Sequence, residues 1–262
     1  MFAWALVEAE LGRWAKAGKR PQFWWRDDDA GALTAPLERL VACAAAARAP
    51  LSLAVIPDRA EVCLALYLNE RPWISVLQHG VDHRNDCLRG RPSQFAEQAP
   101  TAAIARRLVR GWGRLAMFDS RLPVYVPPWN ALGDNVIRAL PVAGLTAVSA
   151  WNGPAGPDRL DAHLDLMRWR PVARFTGEAR FLSRLRRALK QRRLGGAWDE
   201  PIGLLTHHLD HDEAAWRFLD ALLTHEPLRR LSDWRCAQDL LRLKPARAEA
   251  MVSSEDTAAL VF

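Results

Sequence analysis

The stretch Phe23-Trp24-Trp25-Arg26-Asp27-Asp28-Asp29 decides how the rest of this chain is read. Its aromatic run predicts a buried strand over 22–26, and three carboxylates follow where that strand leaves the core. Adjacent anions repel, and burying them without a partner is costly. A bound cation removes that cost. The run therefore directs attention to metal-binding side chains at the ends of other strands.

Working outward, strand and helix patterns alternate. Further strands are expected at 51–56, 73–78, 124–126, 145–150, 164–169 and 202–206. Helices are expected at 36–48, 59–68, 134–140, 178–193, 213–224 and 233–241. Residues 93–118 read as mostly helical, with a break at Pro100 and a restart capped by Thr101, and 152–157 reads as a Gly/Pro loop. Such alternation implies an α/β chain with a parallel sheet under helices. About seven strands fit a closed or partly closed (β/α) barrel, with a doubly wound open sheet as the competitor. Both architectures place chemistry at the C-terminal ends of the strands. Residues 1–20 read as an N-terminal amphipathic helix packed on the barrel, 21–244 as the barrel, and 245–262 as a tail without clear periodicity.

The composition is that of a chain able to bury a large core, since half of its 262 residues are hydrophobic. The 12 Trp are scattered, so they read as core and cleft walls rather than as a repeat. Net charge is +6, and much of the excess lies in Arg180, Arg184, Arg186, Arg187, Lys190, Arg192 and Arg193. Phe181, Leu182, Leu185 and Leu189 interleave there at helical spacing, which reads as a helix with one solvated basic face. No nucleic-acid-binding motif accompanies it, and a nucleic-acid partner is not expected. Cys43, Cys63, Cys87 and Cys236 form no Cys-x-x-Cys pair and read as reduced thiols. With no secretory h-region and no run long enough to span a bilayer, a cytoplasmic location is expected. Oligomeric state is left open.

Three more clusters follow strands. The first is His79-Gly80-Val81-Asp82-His83. Two imidazoles and one carboxylate suit Zn²⁺, with Co²⁺, Mn²⁺ or Ni²⁺ as other divalent occupants, and leave positions open for water. The second is Val126-Pro127-Pro128-Trp129-Asn130, a rigid loop that could hold a backbone N–H as an oxyanion donor. The third is Leu205-Thr206-His207-His208-Leu209-Asp210-His211, where a histidine could protonate a leaving group near neutral pH.

In that order, the motifs resemble the polysaccharide deacetylases, carbohydrate esterase family 4, also called NodB-homology proteins. The resemblance spans residues 22–210. It implies a distorted (β/α) barrel and metal-dependent hydrolysis of N-acetyl groups on an amino-sugar or other N-acylated substrate. Carried over by residue, it implies Asp28 as general base and Asp29, His79 and His83 as metal ligands. Asp27 leaves the register of that run open by one position. The resemblance further implies Trp129 as the oxyanion N–H, His207 as the leaving-group acid, and Asp165 as the group that orients it. Leu205, Pro128, Arg26 and Asn130 are the expected substrate-binding residues. Two departures stand out: Val126 occupies the place of the family's Arg that holds the base, and Ala30 replaces a Gly. Arg26 could supply the missing charge, although neighbouring strand residues face opposite ways. A non-catalytic carbohydrate-binding or regulatory protein of the same fold, and a hydrolase of another amide or ureide, are the alternatives.

Overall fold

Helix α1 (Phe2–Lys16) leads into strand β1 (Gln22–Ala30), which runs on through the carboxylates rather than ending at Arg26. In the computed structural model, which describes residues 2–87, 89–153 and 156–242, β1 alternates between two cores. Phe23 and Trp25 join an outer core with the helices, whereas Trp24 joins an inner core with Ala54, Leu77, Val124 and Val126. Apolar packing on both faces of a curled sheet is the arrangement of a barrel.

The chain continues through α2 (Ala35–Ala47), β2 (Leu51–Val55), α3 (Val62–Asn69), β3 (Ile74–His79), α4 (Thr101–Arg114), β4 (Arg121–Val126), α5 (Asp134–Ala139) and β5 (Ala147–Val148). Next come β6 (Leu164–Asp165) and an antiparallel hairpin of β7 (Met167–Arg168) and β8 (Arg174–Phe175). Helix α6 (Glu178–Gly195), β9 (Ile202–Thr206), α7 (Glu213–Thr224), α8 (Glu226–Leu231), β10 (Asp233–Trp234) and α9 (Ala237–Leu240) complete it. Seven parallel strands lie in the order β5-β4-β3-β2-β1-β9-β6, and β10 adds to the start of β1. Parallel bridges from Val148 to Arg159 and from Trp151 to Ala162 lay the connecting segment against the β5 edge before it enters β6. The sheet is thereby curled toward closure. The fold is a distorted (β/α) barrel, not the doubly wound open sheet.

Several elements differ from expectation. Residues 93–100 are not helical, and Pro100, not Thr101, caps α4. The residue before a proline avoids the α region, which separates 93–99 from the helix. The helix expected from 59 starts at Val62, behind a 3₁₀ turn at Pro57–Arg59. The strand expected at 164–169 is split into β6 and β7, and that at 145–150 is confined to β5. Of the helix expected at 233–241, only α9 forms, because Asp233 and Trp234 extend along Gln22 and Phe23. The expected tail at 245–262 and residues 154 and 155 of the expected loop lie outside the described residues.

The basic helix buries its apolar face through Phe181, Leu182, Leu185 and Leu189. Against it lies α1, where buried Glu10 accepts from Arg193 Nε at 2.5 Å and from Arg13 Nη1 at 2.7 Å. Trp14 Nε1 donates to the Leu189 carbonyl at 3.2 Å. No described helix is long and apolar enough to cross a membrane.

Candidate active site

Alternation along β1 puts Trp24, Arg26 and Asp28 on the inner face and Asp27 on the outer one. Asp29 would follow Asp27 outward. Its backbone instead turns left-handed at φ 72°, and the register against β2 shifts between Asp27 and Ala30. This bulge re-aims the side chain, so Asp28 and Asp29 line one cleft. The conformation costs a non-glycine residue about 1–2 kcal/mol, strain of the kind that collects at functional sites.

His79 ends β3, and His83 follows a bend at Gly80 (φ 56°) rather than a helical turn. A Cβ at Gly80 would collide with Gln94 Oε1 and with the Pro128 ring, so the bend demands glycine. His79 Nε2 lies 3.1 Å and His83 Nε2 3.2 Å from the same oxygen, Asp29 Oδ1. One donor atom from each residue falls within 4.8 Å of the other two. Zinc bonds of about 2.0–2.1 Å in tetrahedral geometry are compatible with donors at such spacing. His79 Nδ1–H donates to the Val126 carbonyl at 3.1 Å. Its Nε2 faces a carboxylate oxygen, and a proton on Nε2 or a cation between the two atoms makes that approach attractive. The donor set therefore fits a divalent metal.

Proton affinities follow from the same crowding. Burial alone would lower the His79 pKa, but the carboxylates of Asp28 and Asp29 overcome it and raise it. Burial and the adjacent His79 push His83 down. Burial would raise Asp29, yet the bond to His79 and the nearby imidazoles hold it well below the ordinary carboxylate range.

Asp28 sits beside Arg26, which shares its face two residues earlier. Arg26 Nε lies 2.8 Å from Asp28 Oδ1, and Nη2 donates to Oδ2 at 3.0 Å. The same guanidinium donates to Asn130 Oδ1 at 2.9 Å, Ser149 Oγ at 2.6 Å and the Ser149 carbonyl at 2.8 Å. It thus spans the barrel interior, tying β1 to the end of β5 and to the Pro-Pro loop. Opposite facing holds for Arg26 and Asp27 but does not separate Arg26 from Asp28. Val126, where an Arg would otherwise hold the base, contributes its carbonyl to His79 instead.

Asp27 is turned away from the cleft. It accepts from Thr206 Oγ1 at 2.6 Å, from the His208 N–H at 3.1 Å and, through its other oxygen, from His208 Nδ1 at 2.5 Å. Burial would raise its pKa, but His208 and Thr206 overcome that and lower it.

In the Pro-Pro loop, Trp129 (φ 55°) and Asn130 (φ 52°) are both left-handed. The Trp129 ring lies 4.5 Å from that of His83. Its N–H lies in the short turn Pro128–Asn130, whose next two N–H groups, of Asn130 and Ala131, donate to the Pro127 and Pro128 carbonyls.

His207 follows β9, with Nε2 3.9 Å from Asp28 Oδ2 and a buried Nδ1 that has no hydrogen-bond partner among the described residues. Asp165, expected to orient it, uses its oxygens elsewhere. They accept from the Met167 N–H and from Trp169 Nε1, both at 2.8 Å. Trp169 in turn meets the His207 ring edge-on at 4.4 Å. Asp165 therefore acts on His207 by charge at a distance and by positioning the indole that packs on it. Burial holds the Asp165 pKa up.

Asp28, Asp29, His79, His83, Trp129, Asp165 and His207 open on a cleft of about 640 Å³. Of the four residues expected to meet substrate, Asn130 lines it, whereas Arg26, Pro128 and Leu205 are buried behind it. Leu205 lies in the sheet between Arg26 and Asp165. Sequence reasoning missed Trp151, Trp169 and Arg184 as cleft residues and Ser149 as the Arg26 anchor. The available signal for Ser149 was a hydroxyl near the C-terminal end of the strand expected at 145–150.

No protein-family model matches the chain, and no curated protein sequence matches it. Solved structures do. A protein from Mycobacterium smegmatis classed as a polysaccharide deacetylase aligns with TM-score 0.57 at 15% identity, covering 90% of this chain and 96% of that one. A mutant of a CE4 family pseudoenzyme with restored enzymatic activity aligns with TM-score 0.56 at 14% identity, covering 85% and 68%. A family 4 carbohydrate esterase from Streptomyces lividans in complex with acetate aligns with TM-score 0.51 at 11% identity, covering 81% and 87%. The chain has the NodB-like fold of the polysaccharide deacetylases.

Proposed function

We propose that this protein is a metal-dependent hydrolase of a non-peptide C–N bond that removes an N-acetyl group from an amino sugar. One observation carries the reading: Asp28, Asp29, His79, His83 and His207, from three different strand ends, converge on one cleft that also contains the Trp129 loop. The N₂O donor set favours Zn²⁺, with Co²⁺, Mn²⁺ and Ni²⁺ as substitutes. A divalent ion held by Asp29, His79 and His83 supplies Lewis-acid polarisation of the acyl carbonyl and a more acidic water.

The chain's own groups do the rest. Asp28, oriented by Arg26, takes the proton of the attacking water. The Trp129 N–H receives the negative charge that develops on the acyl oxygen. His207, wedged by Trp169, gives a proton to the departing amine nitrogen. Trp129, Trp151 and Trp169 offer flat apolar faces to a sugar ring.

The rival reading, a binding protein that keeps the fold without catalysis, rests on Val126. Arg26 argues against it, because a buried cation already grips Asp28 at two points. Metal analysis and acetate release from a panel of N-acetylated sugars, on one preparation with added Zn²⁺ or Co²⁺, test the proposal. About one ion per chain and acetate release are expected. A metal-free, inactive preparation would overturn it in favour of binding, and release of another amine product would redirect it to another amide or ureide.

A further inference from the structure

Beyond the metal-binding triad, the cleft is lined by four arginines: Arg91, Arg168, Arg170 and Arg184. Several arginines elsewhere in the fold are matched with acids. Arg13, Arg26, Arg107, Arg110, Arg159 and Arg193 each have a carboxylate oxygen within 3.2 Å. None of the four cleft arginines has a carboxylate within ion-pair distance among the described residues.

Two of them are more than solvated surface charge. Arg168, on β7, and Arg184, on α6, are half-buried. Arg168 Nε is fully shielded and has no hydrogen-bond partner among the described residues. Arg184 lies over the Trp151 ring, 5.6 Å from its centre. Arg170 and Arg91 stand exposed at the mouth.

The nearby acids only partly neutralise them: Asp165 attracts Arg184 from beyond ion-pair distance, and two bonds from neutral donors leave its charge in place. Asp28 is held by Arg26, Asp29 by the two imidazoles, and both Asp165 oxygens are bonded to Met167 and Trp169. Withdrawing cations from water without a counter-charge is costly, and a metal ion would add to the excess. A ligand oxyanion offsets it, and guanidinium groups suit carboxylate and phosphate.

We infer that the substrate is an anionic N-acylated amino sugar, whose phosphate or carboxylate is received by Arg168 and Arg184 while the acyl group faces the metal-binding residues. The inference rests on the deacetylase reading for the acyl group, but the arginine pair is independent of catalysis. Its test is accordingly equilibrium binding, by calorimetry and by cleft Trp fluorescence, on the full chain both stripped of metal and loaded with Zn²⁺. The metal-free arm excludes direct binding of phosphate to the ion.

N-acetylglucosamine 1-phosphate and N-acetylmuramic acid are compared with neutral N-acetylglucosamine. At least one anionic ligand is expected to bind about tenfold or more tighter than the neutral sugar in both arms, an advantage that shrinks in high salt. Which of the two binds better distinguishes phosphate from carboxylate. In the double variant R168Q/R184Q the advantage disappears, with circular dichroism checking the fold. Equal binding of charged and neutral sugars, absence of anionic binding, or an advantage that survives in the double variant overturns the inference. Failure of the deacetylase reading is distinguished by absent metal and absent acetate release, neither of which alters the metal-free comparison.

Discussion

Asp28 and Asp29 are adjacent in sequence and differ in surroundings because one backbone angle differs. Asp28 keeps the inner face of β1 and meets Arg26, whereas the left-handed turn at Asp29 swings its carboxylate between two imidazoles. Their chemistry should therefore separate on substitution. Asp28→Asn keeps the shape and all three metal donors, so metal binding should stay within a few-fold while turnover falls by roughly 10²–10⁴-fold. Metal titration alongside acetate release checks both, and near-wild-type turnover would remove Asp28 as the base. Arg26 is best tested by coupling. It is fully buried, and Arg26→Met leaves the Asp28 carboxylate without its cation, which should cost about 3–5 kcal/mol in denaturant unfolding. In an Asp28→Asn background no carboxylate is stranded, so the same change should cost about 1–3 kcal/mol less. Equal costs in the two backgrounds would mean that Arg26 serves Ser149 and Asn130 rather than Asp28.

Among the elements, β1 shows what a sequence can and cannot convey. Its aromatic start, the carboxylates beyond it and the order of the later motifs were legible, because period-two burial and strand-end placement are local. The bulge was not, since a slip between β1 and β2 depends on the partner strand. Nor was the β7–β8 hairpin, whose two-residue strands carry no periodicity yet place Trp169 on His207. Asp165, expected to orient His207, instead bonds the Met167 N–H and the unforeseen Trp169 indole that meets His207. Helix α1 illustrates a contact invisible to pattern: Glu10, inside a helix, is buried between Arg193 and Arg13. Burial would raise its carboxyl pKa, but the two guanidinium groups overcome this and hold it below the ordinary value of 4.5. A depressed pKa in the folded state means that the charged pair stabilises the fold above the unfolded value and loses that effect as pH falls through the folded one. Glu10→Gln should thus destabilise by about 1–2 kcal/mol near neutral pH, with the gap to wild type closing in acid. Unfolding midpoints measured from pH 7 down to 3 check this, and a gap that widens in acid would contradict it.

At the scale of the whole molecule, the site exists only because the sheet curls. Strand ends far apart in sequence at Asp29, His79 and His207 meet because β1, β3 and β9 are parallel and share one rim. Strand–helix alternation made the parallel sheet legible. It did not make closure legible, because closure depends on how 158–162 lies along β5 before joining β9 through β6. Metal binding should then register as global stability, since the donors come from two strands and the bend after one of them, and the unfolded chain cannot hold them together. Zn²⁺ at about 100 times its Kd would stabilise by about 2.7 kcal/mol. For a domain of this size about 1 kcal/mol moves Tm by about 2–4 °C, so a rise of roughly 5–10 °C over chelator-treated protein is expected. His83→Ala removes one donor and should lose most of that rise. Arg184→Gln, in the same cleft but not a donor, should keep it. Differential scanning calorimetry of the three proteins with and without Zn²⁺ decides the matter: a rise unaffected by His83→Ala would mean that the ion stabilises the barrel from somewhere other than the Asp29 site.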